Sequence, residues 1–109
     1  MPESATFDRI LSLVESGKYV ASRHALKEAA DDDILISDLI SGIARGELIE
    51  DYPDYHAGPC CLILQTDNRA RPVHALWGLA KVGGQSAVLV TCYRPDQRRW
   101  DADFRRRKK

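Results

Sequence analysis

The apolar residues of the first 46 positions recur every three or four residues, and they predict two or three short helices. The first helix is marked by a stripe that stops near Gly17 and comprises Phe7, Ile10, Leu11 and Val14. Ser22 can cap a second helix that runs to Ala30, and Ser37 can cap a third that stops at Gly46. The first half of the chain is therefore predicted to be helical.

Beyond Gly46 the apolar positions change to the alternation that is typical of β-strands. Four such runs are separated by turn-forming residues, and they are Leu48–Tyr52, Cys60–Thr66, Pro72–Val82 and Ser86–Tyr93. The connections are too short for parallel crossovers, so we expect hairpins. The sequence predicts an α+β fold with a four-stranded antiparallel meander sheet, one face of which is covered by the N-terminal helices. The other face is then the natural place for a functional site.

The composition is that of one ordinary folded domain, which we expect to span residues 1–109. The chain is 44% hydrophobic and 29% charged, with a net charge of zero. Its apolar runs are far shorter than the roughly 20 residues of a membrane helix, and its first residues lack a secretory signal pattern, so we expect a cytoplasmic protein. The three cysteines include the adjacent Cys60 and Cys61, which favours buried free thiols over a disulfide framework or a zinc site.

The two halves of the chain carry net charges of opposite sign, which cancel in the total. Residues 1–59 carry 12 acidic and 5 basic side chains, whereas residues 60–109 carry 4 acidic and 11 basic ones. Much of the positive charge lies in a basic C-terminal tail at about residues 98–109. Such a tail favours binding to a polyanion or to an acidic partner surface, and a solvated, frayed tail is the alternative without a partner.

The histidines are the first candidates for proton transfer, because histidine titrates near neutral pH. His24 lies in the first turn of the predicted second helix, and His74 lies in a predicted strand shortly after Arg69 and Arg71. An imidazole and guanidinium groups could there converge on one phosphate. Packing or surface roles are the alternatives for both histidines, and we expect His56, in a loop, to be solvated.

Aromatic and basic residues also meet at the end of the last predicted strand. Tyr93 could stack on a base and Arg94 could bind a phosphate, although half-buried packing is the alternative for the tyrosine. Trp100 and Phe104 are four residues apart, which predicts a final helical turn packed on the domain.

Acidic and phenolic residues cluster on the first predicted strand, and they are Glu47, Glu50, Asp51 and Tyr52. Paired carboxylates could bind a metal or serve as acid and base. A solvent-facing strand edge explains them equally well.

Several segments follow one another in a recognisable order. They are Tyr19-Val-Ala-Ser-Arg-His-Ala25, Gly46-Glu-Leu-Ile-Glu-Asp-Tyr-Pro53, Arg71-Pro-Val-His74 and Val90-Thr-Cys-Tyr-Arg-Pro-Asp96, followed by Trp100. In this order and spacing, over about residues 19–109, the chain resembles the bacterial DUF4258 family. It departs from the family pattern at Ala70, where a glycine commonly precedes the arginine, and at Asp31–Asp33, where members are often more basic.

The DUF4258 family is grouped with the toxin-like ribonuclease fold of RelE, barnase and colicin nucleases, in which helices are followed by a four-stranded antiparallel sheet. The resemblance therefore implies a toxin-like, metal-independent ribonuclease of a toxin-antitoxin module that needs no cofactor. It also implies RNA and a protein antitoxin, of the zinc-finger type, as partners. The alternative is a non-catalytic protein-interaction or RNA-binding module of the same fold.

Metal-independent RNA cleavage needs a base, an acid and cationic stabilisation of the phosphate. On the resemblance, we assign His24 as base or acid, His74 as its complement or an orienting group, Arg71 as the phosphate clamp and Tyr93 as a stacking or proton-donating residue. We assign RNA contacts to four further arginines, which are Arg69, Arg94, Arg98 and Arg99.

Overall fold

A computed structural model describes residues 4–80 and 85–108 of the chain. Within these ranges the elements are, in order, α1 (Ala5–Glu15), β1 (Tyr19–Ala21), α2 (Arg23–Asp31), α3 (Ile36–Gly42), a 3₁₀ turn (Ile43–Arg45), β2 (Glu47–Tyr52), β3 (Cys60–Thr66), β4 (Pro72–Leu79) and β5 (Ala87–Tyr93). The α+β class and the helices before the meander are as the sequence predicts. No helix in the described ranges is long and apolar enough to cross a membrane.

The five described strands form one mixed sheet in the order β1-β5-β4-β3-β2. Strands β2 to β5 form the expected antiparallel meander, but β1 pairs in parallel with β5, with Tyr19 opposite Ala87. The prediction of four purely antiparallel strands is therefore wrong by one strand. A strand of three residues is too short to show an alternating pattern, and only its pairing with a distant segment makes it a strand.

The helix starts are partly as predicted. Ser4 and Ser22 cap α1 and α2 by accepting hydrogen bonds of 3.1 and 3.0 Å from backbone N–H groups three residues further on. The predicted cap Ser37 is instead inside α3, which starts at Ile36 after Leu35 without a side-chain cap. Burial of Leu39 against the sheet explains the difference, because packing of an apolar face outweighs a cap in a short helix.

The core lies between the helices and one face of the sheet, which we call the covered face. Its buried side chains include Ile10, Leu13, Leu39, Ile63, Trp77 and Leu89. The strands contribute every second residue to this face, so Cys61 and Ile63 are inside the core and their neighbours Leu62 and Leu64 point the other way. All three cysteines are buried and free, as the sequence predicts.

The opposite face of the sheet, which we call the open face, is covered at one end by residues 94–108. We call this segment the C-terminal hook. It folds back on itself through a backbone bridge between Trp100 and Arg107, and the Lys108 N–H donates a hydrogen bond to the Arg99 carbonyl oxygen at 2.8 Å. The predicted helical turn at Trp100 and Phe104 does not form within the described residues, because Phe104 takes a φ of 61°. The predicted strand end at Val82 and the Gly83-Gly84 turn are outside the described residues.

Candidate active site

One row of side chains crosses four strands on the open face. The strand register places Glu47 opposite Leu64, Leu64 opposite His74, and His74 opposite Tyr93. Directly opposed residues share a face and have neighbouring side chains. The register therefore brings two of the predicted catalytic residues, His74 and Tyr93, into contact.

His74 is fully buried in the middle of this row. Its Nε2 lies 2.8 Å from the Phe104 carbonyl oxygen, and its Nδ1 lies 3.3 Å from the Tyr93 hydroxyl. Because a carbonyl only accepts hydrogen bonds, Nε2 carries the proton and Nδ1 accepts from Tyr93. The indole of Trp100 packs edge-on against the imidazole, with 4.3 Å between the ring centroids. Burial lowers the pKa of His74, so the ring is neutral at neutral pH.

Glu50 lies in the next row of the open face, opposite Leu62. It accepts hydrogen bonds of 2.8 and 3.0 Å from the Arg107 guanidinium and one of 2.5 Å from the Tyr52 hydroxyl. Burial alone would raise the pKa of Glu50, but the hydrogen bonds from Arg107 and Tyr52 outweigh burial and lower it. Arg107 in turn lies over the Trp100 ring, 4.7 Å from its centroid.

We call Glu50, His74, Tyr93, Trp100 and Arg107 the His74 cluster. A cleft of about 410 Å³ opens beside it and is lined by Tyr93, Arg94, Asp96, Arg99, Trp100 and Arg107. Burial raises the pKa of Tyr93, so the phenol keeps its proton at neutral pH. The cleft is therefore bordered by a proton donor and guanidinium groups, and the proton acceptor His74 lies buried behind Tyr93 and Trp100, which together are a set suited to chemistry on a phosphate.

Arg71 and Arg94 converge on the carboxylate of Asp67, and Arg94 also lines the cleft. Asp67 is buried, and its Oδ2 lies 2.8 Å from the Arg71 Nε and 2.9 Å from an Arg94 amino group. Burial alone would raise the pKa of Asp67, but hydrogen bonds from the backbone N–H groups of Arg71 and Arg69 and from both guanidinium groups lower it well below its ordinary value. This arrangement explains why both arginines are held at the end of the sheet.

Arg94 makes further contacts that use its remaining donors. It donates to the carbonyl oxygens of Asp32, Asp33 and Pro72 at 3.4, 2.9 and 3.3 Å. The acidic Asp31–Asp33 segment, a departure from the resembled family, thus supplies backbone acceptors that tie the end of α2 to the start of β4. In this structure Arg94 is mainly a structural cross-link.

His24 is separated from the His74 cluster by the sheet. It lies in the first turn of α2, exposed, with its Nε2 at 4.0 Å from a carboxylate oxygen of Glu28. Helix α2 packs on the covered face, where the Cys92 thiol donates to the Ala25 carbonyl oxygen at 3.8 Å. The structure therefore does not bring His24 together with His74.

The remaining arginines predicted to contact RNA are on the surface. Arg69 is exposed and lies within the β3–β4 turn, and Arg98 forms an ion pair with Asp96 at 3.2 Å while staying 90% exposed. Arg99 lines the cleft beside the His74 cluster. Of the four, Arg94 and Arg99 line that cleft, and because Arg94 is bound to Asp67 and to three carbonyl oxygens, Arg99 is the better placed to meet a phosphate there.

Three residues that organise the site have no specific role predicted from the sequence. Arg107 was counted only as part of a basic tail, Trp100 as packing, and Asp67 as part of a turn. The sequence does contain a signal for Asp67, which lies two residues before Arg69 and four residues before Arg71. An aspartate at the start of a turn accepts backbone hydrogen bonds from residues at these two positions.

The part of the open face that the hook leaves uncovered is apolar. A groove of about 550 Å³ lies there, and its lining includes Tyr52, Tyr55, Leu76, Val88 and Val90. No described group of three or more His, Cys, Asp or Glu side chains is arranged to hold a metal ion. The open face thus has a polar end at the His74 cluster and an apolar end at this groove.

Comparison with known proteins gives a match to a family model. The family model described as a domain of unknown function, DUF4258, matches residues 21–94, which is more than half of the chain and includes β2 to β5 and the two later helices. No curated protein and no solved structure matches the chain significantly. Of the His74 cluster, the matched range contains Glu50, His74 and Tyr93. The chain therefore belongs to the DUF4258 family.

Proposed function

We propose that this protein is a toxin-like, metal-independent endoribonuclease whose active site is the His74 cluster. The observation that carries the proposal is the contact between a neutral imidazole, His74, and a protonated phenol, Tyr93, beside a cleft bordered by Arg99 and Arg107. Cleavage of RNA without a metal needs a base, an acid and positive charge at the phosphate, and this cluster contains all three.

The groups can be assigned to the steps of the reaction. The reaction uses the tautomer of His74 that carries its proton on Nδ1, facing the Tyr93 oxygen, which the ring adopts by proton exchange with water once the Phe104 carbonyl oxygen no longer accepts from Nε2. The free Nε2 then accepts the proton of the RNA 2′-hydroxyl while the 2′-oxygen forms a bond to its own phosphorus. Tyr93 donates its proton to the 5′-oxygen as the bond between phosphorus and that oxygen breaks. The imidazolium then returns a proton from Nδ1 to the Tyr93 oxygen across their hydrogen bond, which restores both groups.

The arginines and Glu50 support these steps. Arg99 and Arg107 stabilise the charge that develops on the phosphate oxygens. Glu50, ionised at neutral pH, holds the Arg107 guanidinium through two hydrogen bonds on the same side of the sheet as His74. Trp100 is buried beside the cleft, between the Arg107 guanidinium and the His74 ring, and its packing supports both groups.

The biological setting belongs to the same proposal and rests on the family resemblance. We propose RNA as the substrate and a protein antitoxin of the zinc-finger type as the partner. His24 stays a predicted catalytic residue, and its place on the far side of the sheet makes it the less favoured of the two histidines.

The experiment that tests this function compares two matched substrates in EDTA. Purified protein is incubated with a single-stranded RNA and with the same sequence in which every 2′-hydroxyl is replaced by hydrogen. The proposal expects RNA fragments that end in a 2′,3′-cyclic phosphate and no cleavage of the 2′-deoxy strand. Cleavage of both strands, or of neither with ribosomes also added, contradicts the proposed mechanism.

A second candidate function, a non-catalytic protein-interaction module, is favoured by the apolar groove on the open face. Val90 is 37% exposed and Tyr55 50% exposed there, on a surface that a partner could cover. A folded protein that cleaves no RNA under any of the conditions above would make this the better candidate.

A further inference from the structure

The C-terminal hook covers His74 Nε2, the atom that accepts a proton in the proposed reaction. The Phe104 carbonyl oxygen lies 2.8 Å from His74 Nε2, which is the position that an attacking 2′-hydroxyl would take. Trp100 covers the same ring and is itself 3% exposed. With the hook in this place, His74 is inaccessible, so no substrate can reach its imidazole.

The hook is held by contacts that ions can weaken. Arg105 donates two hydrogen bonds of 2.7 Å to the Glu47 carboxylate, and Arg107 donates two to Glu50. The side chains of the first pair are 43% and 45% exposed, so salt and competing anions reach them. Arginine binds phosphate with the same two-donor geometry that it uses for carboxylate, which makes an RNA backbone a direct competitor.

The hook also contains a strained residue. Phe104, the residue whose carbonyl oxygen blocks His74, has a φ of 61°, a conformation that costs a bulky side chain free energy. Two backbone hydrogen bonds join the outgoing and returning segments of the hook, from the N–H groups of Asp101 and Lys108 to the carbonyl oxygens of Arg106 and Arg99. The hook is thus less firmly held than the strands that it covers.

We infer that the C-terminal hook is a latch over the His74 site, and that RNA phosphates open it by taking Arg105 and Arg107 away from Glu47 and Glu50. This inference rests on the proposed function, since it names how that site is controlled. Phosphate binding by the hook moves Phe104 off His74 and delivers the guanidinium groups to the same strand of RNA. The hook then covers the site until the RNA substrate displaces it.

The test measures latch opening separately from catalysis. Amide hydrogen exchange at Asp101 and Lys108 reports the hook, and exchange at Ala75, in the centre of β4, reports the sheet. The probe is the 2′-deoxy oligonucleotide, which carries the phosphates but lacks the attacking hydroxyl. We expect it to speed exchange at the two hook amides severalfold and to leave Ala75 unchanged.

Two matched variants isolate the ion pair. Arg105→Gln removes the contact with Glu47 and a longer one, of 3.4 Å, with Asp103 inside the hook, whereas Arg106→Gln removes the same charge from a neighbouring side chain that forms no ion pair with a described residue. Without oligonucleotide, we expect hook exchange to rise about threefold or more in the first variant and to stay at the wild-type rate in the second. RNA cleavage by Arg105→Gln should also exceed that by Arg106→Gln at low RNA concentration.

The outcomes separate the two proposals. Equal hook exchange in both variants, or no response to the oligonucleotide, overturns the latch even if the wild type cleaves RNA. Faster hook exchange in Arg105→Gln, a response to the oligonucleotide and no cleavage by any variant would support the latch and contradict the ribonuclease.

Discussion

The imidazole of His74 and the carbonyl oxygen of Phe104, 30 positions apart in the chain, are joined by a hydrogen bond of 2.8 Å. This bond ties the end of the chain to the centre of the sheet. It also fixes the tautomer of His74, since the proton on Nε2 leaves Nδ1 to accept from Tyr93. The placement of the hook and the protonation state of the candidate active site are therefore linked.

The first prediction concerns pH and His74. Burial lowers the pKa of His74 in the folded state, while Glu50 opposes that shift and Arg107 adds to it; Tyr93 and Trp100 are its other neighbours. As the pH falls, the unfolded chain therefore binds a proton on this histidine before the folded chain does. The stabilising effect of the neutral ring is complete above the unfolded pKa of about 6.5, and it is lost as the pH falls through the lower folded pKa.

We expect the free energy of unfolding of the wild type, measured with urea, to fall as the pH is lowered from 7 to 5. His74→Gln should reduce that slope and destabilise the protein by about 1–3 kcal/mol at pH 7. The control is His24→Gln, at an exposed position, which should keep the wild-type slope. An unchanged slope in His74→Gln would show that His74 is not held neutral by burial.

The second prediction concerns Asp67, which joins Arg71 to Arg94. Asp67→Asn removes the buried charge that both guanidinium groups share and leaves them beside a neutral amide. The urea midpoint should fall clearly. Asp54→Asn, the same change at an exposed loop position, should have little effect. Similar midpoints for the two variants would mean that Asp67 does not organise this end of the sheet.

The third prediction concerns Ala70, which stands where the resembled family commonly has a glycine. Ala70 has a φ of 60°, a left-handed conformation that glycine adopts more easily. Ala70→Gly should therefore raise the free energy of unfolding by about 0.5–1 kcal/mol. Ala57→Gly, in an exposed loop without a positive φ, should lower it slightly. A loss of stability in Ala70→Gly would contradict the backbone conformation of this turn.

The fourth prediction concerns the thiols. Burial raises the pKa of Cys61 to about 12 and that of Cys92 to about 11. Because the thiolate is the reactive form, neither should react with a disulfide reagent at pH 8 until the protein unfolds. The check is the number of thiols that react with the reagent in the folded protein, compared with the number that react in urea. Rapid modification of Cys92 in the folded protein would instead point to an accessible, reactive thiol.

Local features of the fold could be predicted from the sequence, and long-range ones could not. The spacing of Ile10 and Val14 and the cap at Ser22 depend on neighbours within one turn, so the sequence reveals them. Strand β1 depends on its pairing with β5, more than 60 positions away, and shows no local signal. The hook has the same origin, since its arginines meet Glu47 and Glu50 only after the sheet has formed.

The site was partly predictable for the same reason. His74 and Tyr93 were both predicted to act, and the strand register places them side by side. His24 was grouped with them because the sequence does not show which face of the sheet α2 covers. The blocking of His74 depends on a chain reversal at Trp100 and Arg107 that no local pattern predicts.

The most direct test of the central claim, that the His74 cluster cleaves RNA, is the cleavage rate of Tyr93→Phe in EDTA. This change removes one hydroxyl group, so urea unfolding should confirm that the variant is folded. We predict a rate at least about 100-fold below the wild type, because a general acid contributes about 10²–10⁴ in rate, and an unchanged rate for Tyr55→Phe at the exposed end of the open face. A folded Tyr93→Phe protein that cleaves RNA as fast as the wild type would contradict the account.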